Sequence, residues 1–310
     1  MKTVGHDRAR FLGLESVASN TADVLLIPVP YEGTVSYGKG TAAAPAAVLG
    51  ASGELEVWDE ELDFELDSLT YHVDQPVFPA EGDTPGTFLV RLLNRAQQLS
   101  QHPGLLVGIG GEHSVTSALV RGICKSKGVA FSDLTVVQLD AQADLRSEHD
   151  GWRQSHLCAM RPLVELGVKL ISIGLRSVQR EEYEFGKQSG SVEMFLSQKL
   201  ADDPQQETRL LTSLKGLTGD VYLTIDMDAL EVHLCPGTGF PHPGGLGWWQ
   251  VLRYLRALLH DNAQCRLVGC DIVEAVPMLG TKVNEFVAAR LLTKVLAYRF
   301  SRDSAATRAD

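Results

Sequence analysis

An α/β fold with a mostly parallel sheet, covered by helices on both sides, is what this 310-residue chain predicts. Three observations predict it. Short runs rich in Val, Ile and Leu alternate with longer segments whose apolar residues recur at helical spacing. Several of those runs, such as "DVLLIPVP" and "GLLVGIGG", are continuously apolar, the pattern of strands buried on both faces. No Pro/Gly/Ser linker, repeat or low-complexity stretch interrupts the rhythm, so residues 1–310 read as one domain, with a short polar tail from about residue 301 that is expected to fray. A closed barrel has a comparable rhythm, but the uneven connections favour an open sheet.

The strand candidates begin at Asp23 ("DVLLIPVP"), Tyr71 ("YHVDQPVF"), Gly104 ("GLLVGIGG") and Leu134 ("LTVVQLDA"). Four more begin at Lys169 ("KLISIGLRS"), Ser191 ("SVEMFLS"), Val221 ("VYLTIDMDA") and Cys265 ("CRLVGCDIVEA"). Among the helix candidates, Thr87–Ser100 carries Phe88, Leu89, Leu92, Leu93 and Ala96 as an apolar stripe. Ser114–Lys125, Trp248–His260 and Asn284–Tyr298 show the same period.

Composition narrows the function. The 28 basic and 39 acidic residues give a net charge of −11 with no Lys/Arg cluster, which argues against nucleic acid. No run approaches membrane-spanning length, and the N-terminal "MKTVGHDRARFLGLESVASN" has no apolar leader core. The five cysteines form no CxxC pair, which points to reduced thiols and a cytoplasmic setting.

In folds of this class, ligands bind at the carboxyl ends of the strands. Here "LLVGIGGEHS" ends in His113, "TVVQLDAQAD" in Asp140 and Asp144, "VYLTIDMDAL" in Asp226 and Asp228, and "LVGCDIVEAVP" in Asp271 and Glu274. Taken singly, a strand-end aspartate is more often a helix cap, and "GGEHS" a turn. Together, so many like charges on one rim repel unless a cation offsets them, and a divalent metal is the economical candidate. Asp226 and Asp228 are two apart, so an extended chain would send both side chains to one face. One imidazole with four carboxylates suits manganese better than zinc.

With these residues in view, the chain resembles the ureohydrolases, the family of arginases and agmatinases, and its pattern is nearest to the agmatinases. The resemblance runs from "PVPYEGTVSYGKGT" (Pro28–Thr41) through "GGEHS", "LDAQADLR" and "IDMDALEVHLCPGTGFPHPGG" to "DIVEAVP". It implies an arginase-like three-layer αβα sandwich with roughly eight strands and a binuclear Mn2+ centre that releases urea from a guanidino compound. It implies His113, Asp140, Asp144 and Asp226 around one metal, and Asp140, Asp226 and Asp228 around the second. Asp144 is assigned a catalytic role as well. His156 in "QSHLCAMR" matches a proton-transfer histidine, and Glu274 the partner of the substrate guanidinium. A small guanidino substrate and a homo-oligomer, trimer or hexamer, are implied too. The leaving amine needs a proton, for which a histidine titrating near neutrality is suited.

The chain also departs from the pattern. Gln142 stands where the family places a metal-ligating histidine, so the second site is expected to bind weakly or stand empty, with slower turnover. Glu231 and Val232 replace an aspartate and a proline, and Phe240 replaces a threonine. His149 and His233 lie near enough in sequence to be considered as substitute ligands, although an exposed loop position is the simpler expectation for both. The loop Arg146–Arg161 has no asparagine of the kind arginases use to hold an α-amino acid. This favours agmatine, hydrolysed to putrescine and urea. Gln142 also motivates a second reading, in which a non-catalytic paralogue binds a guanidino ligand or a partner subunit.

Overall fold

The apolar runs assemble into a single eight-stranded sheet because neither of their faces can be left to water. In the computed structural model, which describes residues 9–307, the strands are β1 (Val24–Val29), β4 (Tyr71–Val73), β5 (Leu105–Gly110), β6 (Leu134–Leu139), β7 (Lys169–Leu175), β8 (Val192–Leu196), β9 (Gly219–Asp226) and β10 (Cys265–Val273). Their order is β4-β1-β5-β10-β9-β6-β7-β8, and every neighbouring pair is parallel. The sheet is open, with β4 and β8 at its edges, so the barrel alternative does not apply. Residues 1–8 of the N-terminal stretch and 308–310 of the tail lie outside the described residues.

Alternation along β1 shows how the layers form. Val24 and Leu26 point into one core, shared with α1 (Ala44–Ser52), α8 (Trp248–Leu259) and α9 (Val283–Thr307). Leu25, Ile27 and Val29 point into the other, shared with α2 (Pro85–Leu99), α3 (Val115–Lys127) and α4 (Arg161–Glu165). Two cores on opposite faces of one sheet make a three-layer αβα sandwich. Further helices α5 (Arg180–Ser189), α6 (Ser197–Asp202) and α7 (Pro204–Gly216) complete the layers around β7 to β9. The start of α2 is fixed by a capping box between Thr84 and Thr87, with Pro85 in the first turn. No helix among the described residues is long and apolar enough to cross a membrane.

Three expectations need correction. The run from Tyr71 pairs only as far as Val73, because the following Asp74 turns its carboxylate to Arg95 and Pro76 cannot donate to a ladder. A small hairpin of β2 (Trp58–Asp59) and β3 (Phe64–Glu65) is additional. It is clamped by the buried Lys294 of α9, whose Nζ donates to Asp59 at 2.9 Å and Glu61 at 2.7 Å. The polar tail does not fray from Ser301, since α9 continues through it to Thr307.

Candidate metal centre

The four strands that end in the predicted polar residues are the four central neighbours of the sheet, β5, β10, β9 and β6. Their carboxyl ends deliver His113, Glu274, Asp226 and Asp140 to one place, and the turns beyond add Asp144 and Asp228. All six are buried, with Asp140 at 0% exposure. His113 Nδ1 lies 3.0 Å from Asp140, 2.9 Å from Asp144 and 3.3 Å from Asp226. Ligand atoms of His113, Asp140 and Asp144 lie within 4.8 Å of one another, as do those of Asp140, Asp226 and Asp228. Asp140 belongs to both groups.

Asp226 and Asp228 converge for a reason other than strand alternation. The strand stops at Asp226, and Met227–Ala229 form a 3-10 turn. The Asp226 carboxylate accepts the Asp228 backbone N–H at 2.8 Å, so it caps the turn that brings Asp228 back towards it. Asp228 in turn accepts from Ala141 N at 3.1 Å, joining the two acidic turns. Asp140 is held by its own turn and by Gln138, whose Nε2 donates to it at 2.6 Å while Ser172 donates to the Gln138 amide oxygen. Arg176, beyond β7, donates to the carbonyls of Asp228 and His242 and fixes the long loop between them.

Two of the acids sit on left-handed backbone, Asp144 at φ 53° and Glu274 at φ 62°. Side chains rarely adopt this region, and non-glycine residues held there cluster at functional sites. The Asp144 turn is pinned by Met160 and Arg161, whose N–H groups donate to its carbonyl, and by the buried Glu182, which accepts from Leu145 N at 3.0 Å.

His113 is aimed by groups the sequence alone did not single out. Its Nε2 lies 2.9 Å from Thr224 Oγ1, and the Thr224 hydroxyl donates to Asp271 at 2.5 Å. Thr224 is therefore left as an acceptor for the ring N–H at Nε2, and Nδ1 is the nitrogen that faces the carboxylates. That nitrogen is buried without a hydrogen-bond partner. Asp271 is thus not a rim ligand: it lies beneath the cluster, accepting from Thr224 and from Tyr222 Oη at 2.6 Å. An orphaned imidazole nitrogen among carboxylates, with its other nitrogen hydrogen-bonded, is the donor set that a divalent cation takes. Thr224→Val removes the acceptor for Nε2–H and should weaken metal binding about tenfold, as read by metal titration. Unchanged affinity would mean that Thr224 does not orient the ring.

Charge in the cluster tells the same story. Burial, reinforced by Asp140, pushes Asp144 up to about 8 and Asp228 up to about 7. Burial and the neighbouring acids Asp228 and Asp140 raise Asp226, and burial and Glu112 raise Glu274. Burial alone would depress His113, but the carboxylates of Asp140, Asp144 and Asp226 facing its Nδ1 outweigh it and raise the imidazole. Without a cation these acids cannot all be ionised. Asp144 and Asp228 hold protons more tightly folded than unfolded, so their stabilising contribution is complete below the ordinary value of 3.8 and is lost as pH rises through about 7 and about 8. The metal-free protein should therefore melt lower at alkaline than at mildly acidic pH, and added divalent metal should flatten that slope. A slope unaffected by metal would place the protons elsewhere.

Gln142 is buried near the cluster, its N–H donating to Asp140 at 2.7 Å while its Nε2 has no partner. The group of Asp140, Asp226 and Asp228 contains no nitrogen. Of the substitute ligands considered, His233 is exposed. His149 faces Arg146 at 3.2 Å and meets His156 edge-on with centroids 6.1 Å apart.

His156 lies in a 3-10 turn of the loop after β6, packed against the loop after β1. Its backbone N–H donates to Thr34 Oγ1 at 3.0 Å, and its ring nitrogens make long contacts to Thr34 and Ser36. Thr34 is held by the buried Glu112, which accepts its N–H and its hydroxyl, both at 2.6 Å. Burial, together with His149 and His113, lowers His156 to about 4, so it does not titrate near neutrality as expected. Glu274 accepts from His113 N at 2.8 Å. Its other oxygen faces Gly239, where a Cβ would lie 3.3 Å away. Glu231 and Val232 are half-buried just beyond Asp228, and Phe240 stacks near His156.

Residues 22–297 match the model of the arginase family. The chain is 34% identical over 297 residues to the N(1)-aminopropylagmatine ureohydrolase of Synechocystis, covering 93% of each chain. It is 30% identical to the agmatinase of Pyrococcus horikoshii, covering 91% of this chain and 94% of that one. Among solved structures, the agmatine ureohydrolase of Thermoplasma volcanium aligns with TM-score 0.80 at 25% identity, covering 93% of this chain and 94% of that one. The proclavaminate amidino hydrolase of Streptomyces clavuligerus shares the fold with TM-score 0.83 at 23% identity, covering 95% and 97%.

Proposed function

Since the chain belongs to the arginase family, a family of hydrolases that cleave guanidino compounds, we propose that it releases urea from a linear guanidino-amine, agmatine or an N1-aminopropyl derivative of it. The single observation that carries this reading is the buried, orphaned Nδ1 of His113 set among three carboxylates. The substrate preference is supported by the relatives named as agmatinase and aminopropylagmatine ureohydrolase, and by the lack of asparagine in the Arg146–Arg161 loop.

In this reading His113, Asp140, Asp144 and Asp226 hold one Mn2+, and Asp140, Asp226 and Asp228 a second, weaker one. Such a centre, when loaded, supplies water activated for attack at neutral pH, which the resonance-stabilised guanidinium carbon requires. Glu274 orients the guanidinium through a carboxylate pair. Binding the cation also favours the ionised form of Glu274, which burial otherwise opposes. Asp144, itself one of the proposed metal ligands, would take up the proton of the attacking water. His156, neutral at pH 7, would relay that same proton to the leaving amine, accepting it at one ring nitrogen and releasing one from the other rather than storing it. Because no nitrogen completes the second group, loading with a single metal and a reduced rate are part of the proposal. The buried, unpaired thiols support a reducing, cytoplasmic setting.

The test is urea release by purified protein supplied with manganese and offered agmatine, N1-aminopropylagmatine, arginine and 4-guanidinobutyrate. We expect the two cationic amines to be preferred. No urea from any of the four would sink the reading.

A further inference from the structure

Phe240, which follows the Gly239 that packs against Glu274, has three flat rings around it. Tyr37 stacks on it with centroids 5.8 Å apart and planes 16° apart. His156 lies 6.2 Å away at 16°, and His242 6.3 Å away at 17°. These rings are held where two loops touch. Gly38 N donates to Gly239 O at 3.2 Å, and a Cβ on Gly38 would meet that oxygen at 2.8 Å and Thr238 O at 3.1 Å. Only glycine permits this approach, and it places Tyr37 and Phe240 in adjacent positions, one residue from each touching glycine. Gly239 itself packs against the Glu274 carboxylate. Tyr37 is 74% exposed, so its ring is open to a ligand.

We propose that the exposed Tyr37 ring and the half-buried Phe240 ring beside it bind the distal ammonium group of the substrate, making these two residues the determinants of preference for a cationic tail. This rests on the guanidino-hydrolase reading above. If Glu274 holds the guanidinium end, an extended substrate leaves the site past the loops that touch at Gly38 and Gly239, and those loops carry the two rings. Aromatic faces are negative in their quadrupole and attract ammonium, whereas a carboxylate in the same place would lose water without a replacement. Burial and neighbouring cations lower both imidazoles of this group, His156 to about 4, so the rings carry no positive charge to repel an amine at pH 7. The threonine that the family pattern places at position 240 could not provide such a face.

The test compares agmatine with butylguanidine, which has the same guanidinium and no distal charge, and with 4-guanidinobutyrate, whose tail is anionic. The full-length, manganese-loaded protein should favour agmatine over butylguanidine about tenfold in kcat/KM, mainly through KM, with 4-guanidinobutyrate weakest. Tyr37→Ala and Phe240→Thr should each cut that ratio at least about threefold, whereas Tyr37→Phe should keep it, because the ring face and not the hydroxyl is the recognition element. An unchanged ratio in both Tyr37→Ala and Phe240→Thr would overturn the proposal. So would an equal loss in Tyr37→Phe and Tyr37→Ala. If nothing is turned over, the hydrolase reading fails, and the ratio of calorimetric Kd values for the same compounds in the same variants decides this proposal separately.

Discussion

Asp140→Asn is expected to strip the protein of metal and cut urea release by about a thousandfold or more, since electrophilic and water activation together supply several kcal/mol. Asp140 belongs to both tight ligand groups, and it shares with Asp226 a place in both proposed metal sites. The substitution keeps size and shape. One amide oxygen can still accept from Gln142 N or Gln138 Nε2, but the carboxylate charge is gone. Folding should survive, because removing one of several crowded like charges relieves repulsion in the metal-free state. The metal-free variant should thus melt within a few degrees of the parent, while the gain in melting temperature on adding manganese disappears. Metal content by atomic spectroscopy, thermal melts and urea assays read all three outcomes. A variant that still bound a full complement of manganese would show that the cluster is not the metal site.

The reverse change, Gln142→His, should bring a nitrogen to the all-carboxylate group of Asp140, Asp226 and Asp228. Its place in the turn is already correct: the residue is buried, and its backbone is fixed by the hydrogen bond to Asp140. The amide now there leaves its nitrogen without a partner, so no bond is lost in the exchange. Affinity for the second manganese should rise roughly tenfold to a hundredfold, the span that ligand-shell changes commonly produce, and turnover should rise with it. Manganese titration by calorimetry, with urea release on the same samples, measures both. Equal metal content and equal rates in parent and variant would mean that some other group already completes the second site.

What could be read from the sequence was whatever interrupts an apolar pattern. Strands β5, β6, β9 and β10 are largely apolar runs that finish at or just before an acid or a histidine, so the rim was legible, except that Asp271 lies within β10 and beneath the cluster. The convergence of Asp226 and Asp228 was anticipated for the wrong reason, because a turn capped by the first aspartate does the work assigned to strand alternation. Thr224 went unnoticed because a threonine inside "VYLTID" reads as an ordinary β-branched strand residue. Its value lies in a hydrogen bond to His113, which is 111 positions away in sequence. Helices α5 and α7 were missed since they bury few residues, Glu182 and Gly186 in one and Leu210 and Leu214 in the other, too few for a stripe. The opposite problem hid α1, an alanine-rich segment without a polar face. The lowered pKa of His156 depends on His149 and burial, neither of which a linear pattern contains.

The left-handed backbone at Asp144 and Glu274 bears on any attempt to make this protein hardier. A designer scanning for conformational strain would find these positions early and replace both with glycine. Each exchange would release roughly 1–2 kcal/mol of steric cost. The same exchange would erase a carboxylate from the rim. Leu12, Asp63 and Asp150 share that backbone conformation without belonging to the rim, so hardening has to begin there, for instance at Asp63 in the turn of the β2–β3 hairpin.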